Sequence, residues 1–106
     1  MKILITGAGG FVGAACVEAA LEAGHEPLAV IRPAGSRQRL KGKMVEVLPL
    51  DLANRPALDQ AVALHRPDVI IHAAWSGVDN AAHQDKAQIT DNIVTGLALV
   101  EVAAAN

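Results

Sequence analysis

The chain has no tyrosine, and its remaining aromatic residues are one phenylalanine, Phe11, and one tryptophan, Trp75. Aromatics make up 2% of the residues and hydrophobic residues 52%. Ala, Val, Leu and Ile must therefore build the core, which suits helices packed closely on a sheet. The single cysteine, Cys16, excludes an internal disulfide and fits a reducing compartment. No apolar run approaches the ~20 residues that cross a bilayer. The apolar stretch after Lys2 ends at Thr6, so the start does not read as a secretory signal. A formal net charge of −2 gives no long-range attraction to nucleic acid or an anionic membrane. The four histidines, His25, His65, His72 and His83, form no HxH or HxxxH pair and have no cysteine partner, which argues against a metal site. Asp79, Asp85 and Asp91 read as a solvated face. The default expectation is one cytoplasmic, soluble domain, or a piece of one.

Strand and helix patterns alternate along the chain. "KILITG" is a short apolar run ending in glycine and reads as a buried strand. "FVGAACVEAALEAGHE" has helical spacing, with Gly24 placed to end the helix. "PLAVI" is a second strand. "RPAGSRQRLKGK" is polar, basic and rich in breakers, so it reads as a loop with room for one helical turn. "MVEVLPL" is a third strand, and Pro49 near its end suits a sheet edge. "NRPALDQAVALHR" is a short helix with Asn54 as N-cap and Pro56 in its first turn. "PDVIIHAA" is a nearly continuous apolar strand, the pattern of a strand covered on both faces. From about residue 80 to 105 the pattern is helical, with Ile89, Ile93, Leu97, Val100 and Ala104 in one stripe. The alternation predicts a parallel sheet with right-handed crossovers.

"MKILITGAGGFVG" places four glycines directly after the first strand. A strand, a glycine-rich turn and a helix form a unit of the right size to hold a dinucleotide. Gly7 allows the tight turn, Gly10 carries no side chain to hold off a pyrophosphate, and Gly13 lets helix and strand pack closely. The N–H groups of Phe11 and Val12, with the helix dipole, favour a phosphate. The plainer alternative is a tight turn that happens to be rich in glycine.

The spacing Gly7-x-x-Gly10-x-x-Gly13, with Thr6 before it and Phe11 inside it, resembles the TGxxGFxG motif of the extended short-chain dehydrogenase/reductase family. These are NAD(P)-dependent epimerases and dehydratases acting mainly on nucleotide sugars. Three later stretches resemble the family in the same order. Asp51-Leu52 follows the third strand, where the family contacts the adenine. "PDVIIHAAW" is similar to the family's PDxVIHLAA, which implies that Ala73 and Ala74 line the cofactor's ribose and phosphates. "DNIVTGLALVEVAAA" is similar to its NVxGTxNLLEAA helix, with Asn92 matching the family's asparagine. The resemblance covers the whole chain. It implies a Rossmann-like, doubly wound α/β fold with helices on both faces, here four strands in the order 3-2-1-4, with residues 1–106 as the N-terminal NAD(P)-binding portion.

The chain departs from the family pattern in several places. The second strand usually ends in an aspartate that binds the adenosine ribose of NAD; here Ile31 is followed by Arg32. A guanidinium can bind an extra phosphate bidentately, and Ser36, Arg37 and Arg39 add to the basic loop. The expectation leans to NADP, with NAD, or a merely solvated loop, as the alternative. Trp75 replaces a small residue and would shield the cofactor, line a substrate pocket or sit in the core. Thr95-Gly96 inverts the family's Gly-Thr; a glycine inside a helix costs about 1 kcal/mol relative to alanine, so close packing is expected at Gly96. The family's chemistry uses a tyrosine, a lysine four residues later and a serine or threonine, all beyond the stretch that this chain matches. With no tyrosine, and with Lys86 and Ser76 no substitute, the chain is expected to bind a dinucleotide without turnover. The expected parent is a nucleotide-sugar epimerase, dehydratase or reductase. A non-catalytic nucleotide-binding or self-associating module, and a reductase of the dihydroflavonol type suggested by "VIRP", stand as alternatives. The fourth strand would form an apolar sheet edge, and the final helix would expose its stripe, so a homodimer is expected.

Overall fold

The computed structural model describes residues 1–74 and 86–106, with side chains in the final helix described from 92 onward. The elements are β1 (Lys2–Thr6), α1 (Phe11–Glu22), β2 (Glu26–Ile31), a 3-10 turn (Gln38–Leu40), β3 (Glu46–Pro49), α2 (Arg55–His65), β4 (Val69–His72) and α3 (Lys86–Ala105). The strands form one parallel sheet in the order β3-β2-β1-β4. The expected fold and strand order are thus observed, and Pro49 lies on an edge strand, where its missing N–H costs no ladder bond.

Alternation along the strands divides the core between the two faces of the sheet. Ile3, Ile5, Ala29 and Ile31 pack with Ala14, Val17 and Ala20 of α1. Leu4, Leu28 and Val30 point the other way, onto Leu58, Ala61 and Val62 of α2 and Leu99 and Val102 of α3. Fully burying one such side chain contributes about 1.5–3 kcal/mol. The predicted helix ends form as their residues dictate. Asn54 accepts a hydrogen bond from the Ala57 N–H at 3.2 Å. Gly24 takes φ +80°, and the next residue, His25, donates its N–H to the Ala20 carbonyl at 2.9 Å. Arg55 donates to Asp59 on its own helix and, at 3.0 Å, to Glu101 of α3, which ties the two helices on that face together.

Two expectations need correction. β4 is covered on both faces only in part: Ile71 packs on the α1 side and Ile70 on the α2–α3 side, both partly buried, while Val69 and His72 at its ends are exposed. It lies at the sheet edge, as expected, with β1 its sole strand partner among the described residues. At Gly96 a Cβ would meet no atom of the described residues within 4 Å, so the expected close packing is not found among them. The buried face of α3 is Asn92, Leu99 and Val102, while Ile93, Leu97 and Val100 are all more than half exposed. The described part of the stripe read from the sequence is therefore exposed, as expected.

Candidate functional site

The C-terminal ends of β1, β2 and β4 meet at the glycine loop. In an open parallel sheet the crevice at the strands' carboxyl ends, where the chain reverses direction across the sheet, is where ligands sit. Here that crevice falls between β1 and β4. Gly7 has φ +64°, and a Cβ on it would lie 2.6 Å from the Ala74 nitrogen. The loop thus turns directly against the backbone that follows β4. At Gly13 a Cβ would fall 2.0 Å from the Gly7 carbonyl oxygen, so the first turn of α1 rests on the loop itself. Gly10 differs: its Cβ would have the Gly7 oxygen at 3.3 Å as its sole neighbour within 4 Å among the described residues. The space in front of Gly10 is open, and the residue is exposed.

Gly10 is the N-cap of α1 and offers no side-chain acceptor, and the first turn holds no acidic residue. The first α1 amide bonded to its own helix is Ala14, which donates to the Gly10 carbonyl at 3.0 Å. The N–H groups of Phe11, Val12 and Gly13 therefore have no protein acceptor among the described residues. Phe11 is 80% exposed and Val12 63% exposed, while Gly13 is buried, so the donors of Phe11 and Val12 at the positive end of the helix dipole are the ones that face solvent. They can hold an anion. The unfilled cradle at Gly10 and the free donors together fit a pyrophosphate.

The floor of the crevice is polar at one point. Thr6 is fully buried, and its hydroxyl accepts the Ala74 N–H at 3.2 Å. The same oxygen lies 2.6 Å from Nδ1 of His72. Desolvation by burial lowers the His72 pKa from the usual imidazole value.

The basic loop lies over the other side of the glycine loop. A Cβ on Gly9 would come 2.5 Å from the Ser36 carbonyl oxygen. Arg39 donates from Nη1 to the Gly9 carbonyl at 3.1 Å. Beside it, Ser36, Arg37, Gln38, Leu40, Lys41 and Val47 line an open groove of about 390 Å³. Arg32 is exposed just past β2. Asp51 is exposed and closes its own turn, accepting the Ala53 N–H at 3.0 Å, with Leu52 half-buried behind it. Ala73 and Ala74 lie against Gly7 as described. Asn92 is buried on α3 and has a bonding partner. Trp75, Ser76 and the run of aspartates lie outside the residues whose side chains are described.

The fold and the crevice have counterparts among known proteins. The sequence pattern of the NAD dependent epimerase/dehydratase family matches residues 3–106. The chain belongs to that family. Among the family's curated proteins, dTDP-glucose 4,6-dehydratase 1 of Escherichia coli (strain K12) is 32% identical over 97% of this chain and 31% of its own length. The 2-alkyl-3-oxoalkanoate reductase of Stenotrophomonas maltophilia (strain K279a) is 36% identical over 89% of this chain and 28% of its length. The UDP-glucose 4-epimerase of Thermus thermophilus, solved in complex with NAD, superposes with a TM-score of 0.83 at 29% identity, over 96% of this chain and 33% of that one. Bordetella bronchiseptica WbmG, solved with NAD and UDP, gives 0.83 at 27% identity, over 99% and 34%. The chain thus spans about a third of the length of the curated relatives it matches. Among the described residues, no helix is long and apolar enough to cross a membrane, and no group of three His, Cys, Asp or Glu could hold a metal ion.

Sequence reasoning placed the glycines, the helix N-terminus and the two alanines in one crevice, and the structure brings them together. It did not find the Thr6–His72 pair or the Arg39 contact. The first was findable: in the parallel register Thr6 stands opposite His72. The second joins residues 30 apart across two loops and leaves no periodic trace.

Proposed function

We propose that this chain is the dinucleotide-binding portion of a nucleotide-sugar epimerase, dehydratase or reductase. The observation that carries this reading is the pair of free N–H groups at Phe11 and Val12 beside the open space at Gly10. In this reading Gly7, Gly10, Phe11, Val12 and Gly13 hold the pyrophosphate, Asp51 and Leu52 border the adenine, and Ala73 and Ala74 wall the ribose and phosphates. Asn92 steadies the α3 side. NAD or NADP, when bound, supplies hydride transfer to and from a sugar carbon. The chain's own part is to bind and orient: donors at the helix end, a dry floor at Thr6, and an open mouth for substrate. With no tyrosine in the sequence, the chain by itself binds without turning over a nucleotide sugar. A cytoplasmic setting suits the lone cysteine.

Isothermal titration with NADH and NADPH tests the reading. The parent chain binds, and Gly10→Val, which places a side chain in the open space at the helix end, weakens binding at least about tenfold. Equal binding by parent and variant would show that the loop is not the site. The same titration reads cofactor choice. NAD is the cofactor that accompanies the solved neighbours, while the exposed Arg32 supports NADP. If Arg32 receives a 2′-phosphate, Arg32→Ala weakens NADPH more than NADH. The exposed side of α3, with Ile93, Leu97 and Val100, and the open edge of β4 support a homodimer. Light scattering at micromolar concentration would return a stable monomer if that is wrong.

A further inference from the structure

We propose that Arg39 is a positioning residue for the phosphate-holding loop: its guanidinium fixes the peptide plane between Gly9 and Gly10, and thereby the aim of the free N–H groups that follow. The proposal rests on the dinucleotide reading and adds a residue to it. The Gly9 carbonyl and the Gly10 N–H are the two ends of one planar unit. Arg39 holds the oxygen end at 3.1 Å, and the Gly7 carbonyl holds the N–H end at 3.0 Å. Gly10 is also the N-cap, so the tilt of this unit sets where the Phe11, Val12 and Gly13 donors point.

Two features make the unit depend on an outside strut. Both of its residues are glycines, so no side chain restrains their torsions. A carbonyl rotated toward the crevice would also present its negative end to an incoming anion. Arg39 holds the Gly9 oxygen toward the basic loop instead. Its own backbone is fixed, because the adjacent Leu40 is only 4% exposed and packs in the core cluster beneath α1. The Ser36 carbonyl, 2.5 Å from where a Gly9 Cβ would stand, shows how closely the two loops are stacked. Arg39 acts through the peptide and not on the ligand, which separates it from Arg32.

Two measurements on the 106-residue chain test this. In the ligand-free protein, amide hydrogen exchange followed by NMR should show the Gly10 N–H exchanging about three- to tenfold faster in Arg39→Ala, with Leu4 and Ile5 unchanged. In titrations, Arg39→Ala should weaken NADH and ADP by a similar factor of about three to ten, leave adenosine unchanged, and recover in Arg39→Lys. Unchanged Gly10 exchange alongside intact NADH binding would overturn the role of Arg39 alone. An equal loss for adenosine, or a larger loss for NADPH than for NADH, would likewise overturn it, in favour of direct contact with the adenosine end. If the parent chain binds neither NADH nor ADP, the dinucleotide reading falls and this proposal falls with it.

Discussion

Replacing Thr6 with valine removes a single hydroxyl and keeps the shape of the side chain. Thr6 is fully buried, so valine fits the same space. The Ala74 N–H loses the acceptor it has at 3.2 Å, and it is part-buried against the turn at Gly7. An unsatisfied donor in that setting costs about 1–3 kcal/mol. The His72 ring also loses its contact, but it is only partly buried and keeps access to water, so little is added. The new methyl group in an apolar floor returns up to about 0.8 kcal/mol. The net loss is about 1–2 kcal/mol, or roughly 5–15 °C in Tm for a domain of this size. Thermal and urea denaturation followed by circular dichroism measure it, and the urea m-value should not change. Thr6→Ser keeps the hydroxyl and drops the methyl group, so it separates hydrogen bonding from packing. A Thr6→Val chain melting within about 2 °C of the parent would refute the argument, as would a serine variant that falls as far as the valine one.

Gly13→Ala should destabilise the chain by about 1–3 kcal/mol in urea denaturation, although alanine is the better helix former, because its Cβ cannot coexist with the Gly7 carbonyl; a more stable variant would show that the loop can retreat. His72 should titrate by NMR below the roughly 6.5 of an unstructured histidine. Its folded pKa is the lower one, so the unfolded state takes up the proton first. The contribution is therefore level above that ordinary value, and stability declines as pH falls through the window beneath it. His72→Gln should flatten that part of the stability profile, and an unaltered profile would mean that burial does not govern this ring.

The parallel sheet was legible because each of its signals is local. A branched apolar run before a glycine makes β1, a proline marks the edge at β3, and an asparagine caps α2. The phosphate-type loop was legible for the same reason: three glycines at fixed spacing can be read without knowing what surrounds them. The contacts that the sequence hid join distant stretches. Thr6 finds His72 because two strands 66 residues apart align in register, and Arg39 reaches Gly9 because a buried leucine pins its turn. The α3 helix exposes the described part of the stripe read from the sequence, as expected. Its apolar residues are spread around enough of the circumference that two faces compete, and the one carrying Asn92, Leu99 and Val102 is buried because α2 lies on that side. Periodicity counts apolar residues; it does not say which neighbour arrives.

The first strand of the chain lies at the centre of the sheet, and this sets an order of assembly. β1 meets β2 across a separation of 24 residues and β4 across 66. Closing the longer loop costs about 1 kcal/mol more in chain entropy, and during synthesis its far end emerges some seconds later. The β1–α1–β2 unit, including the tight turn at Gly7, can form while the remainder is still unmade. Until Val69–His72 docks, one whole side of β1 is an unpaired apolar ribbon, and the Thr6 hydroxyl lacks both of its described partners. A nascent chain therefore passes through a stage with half a crevice and a sticky flank on β1, and the arrival of β4 completes the crevice and pairs that side of β1.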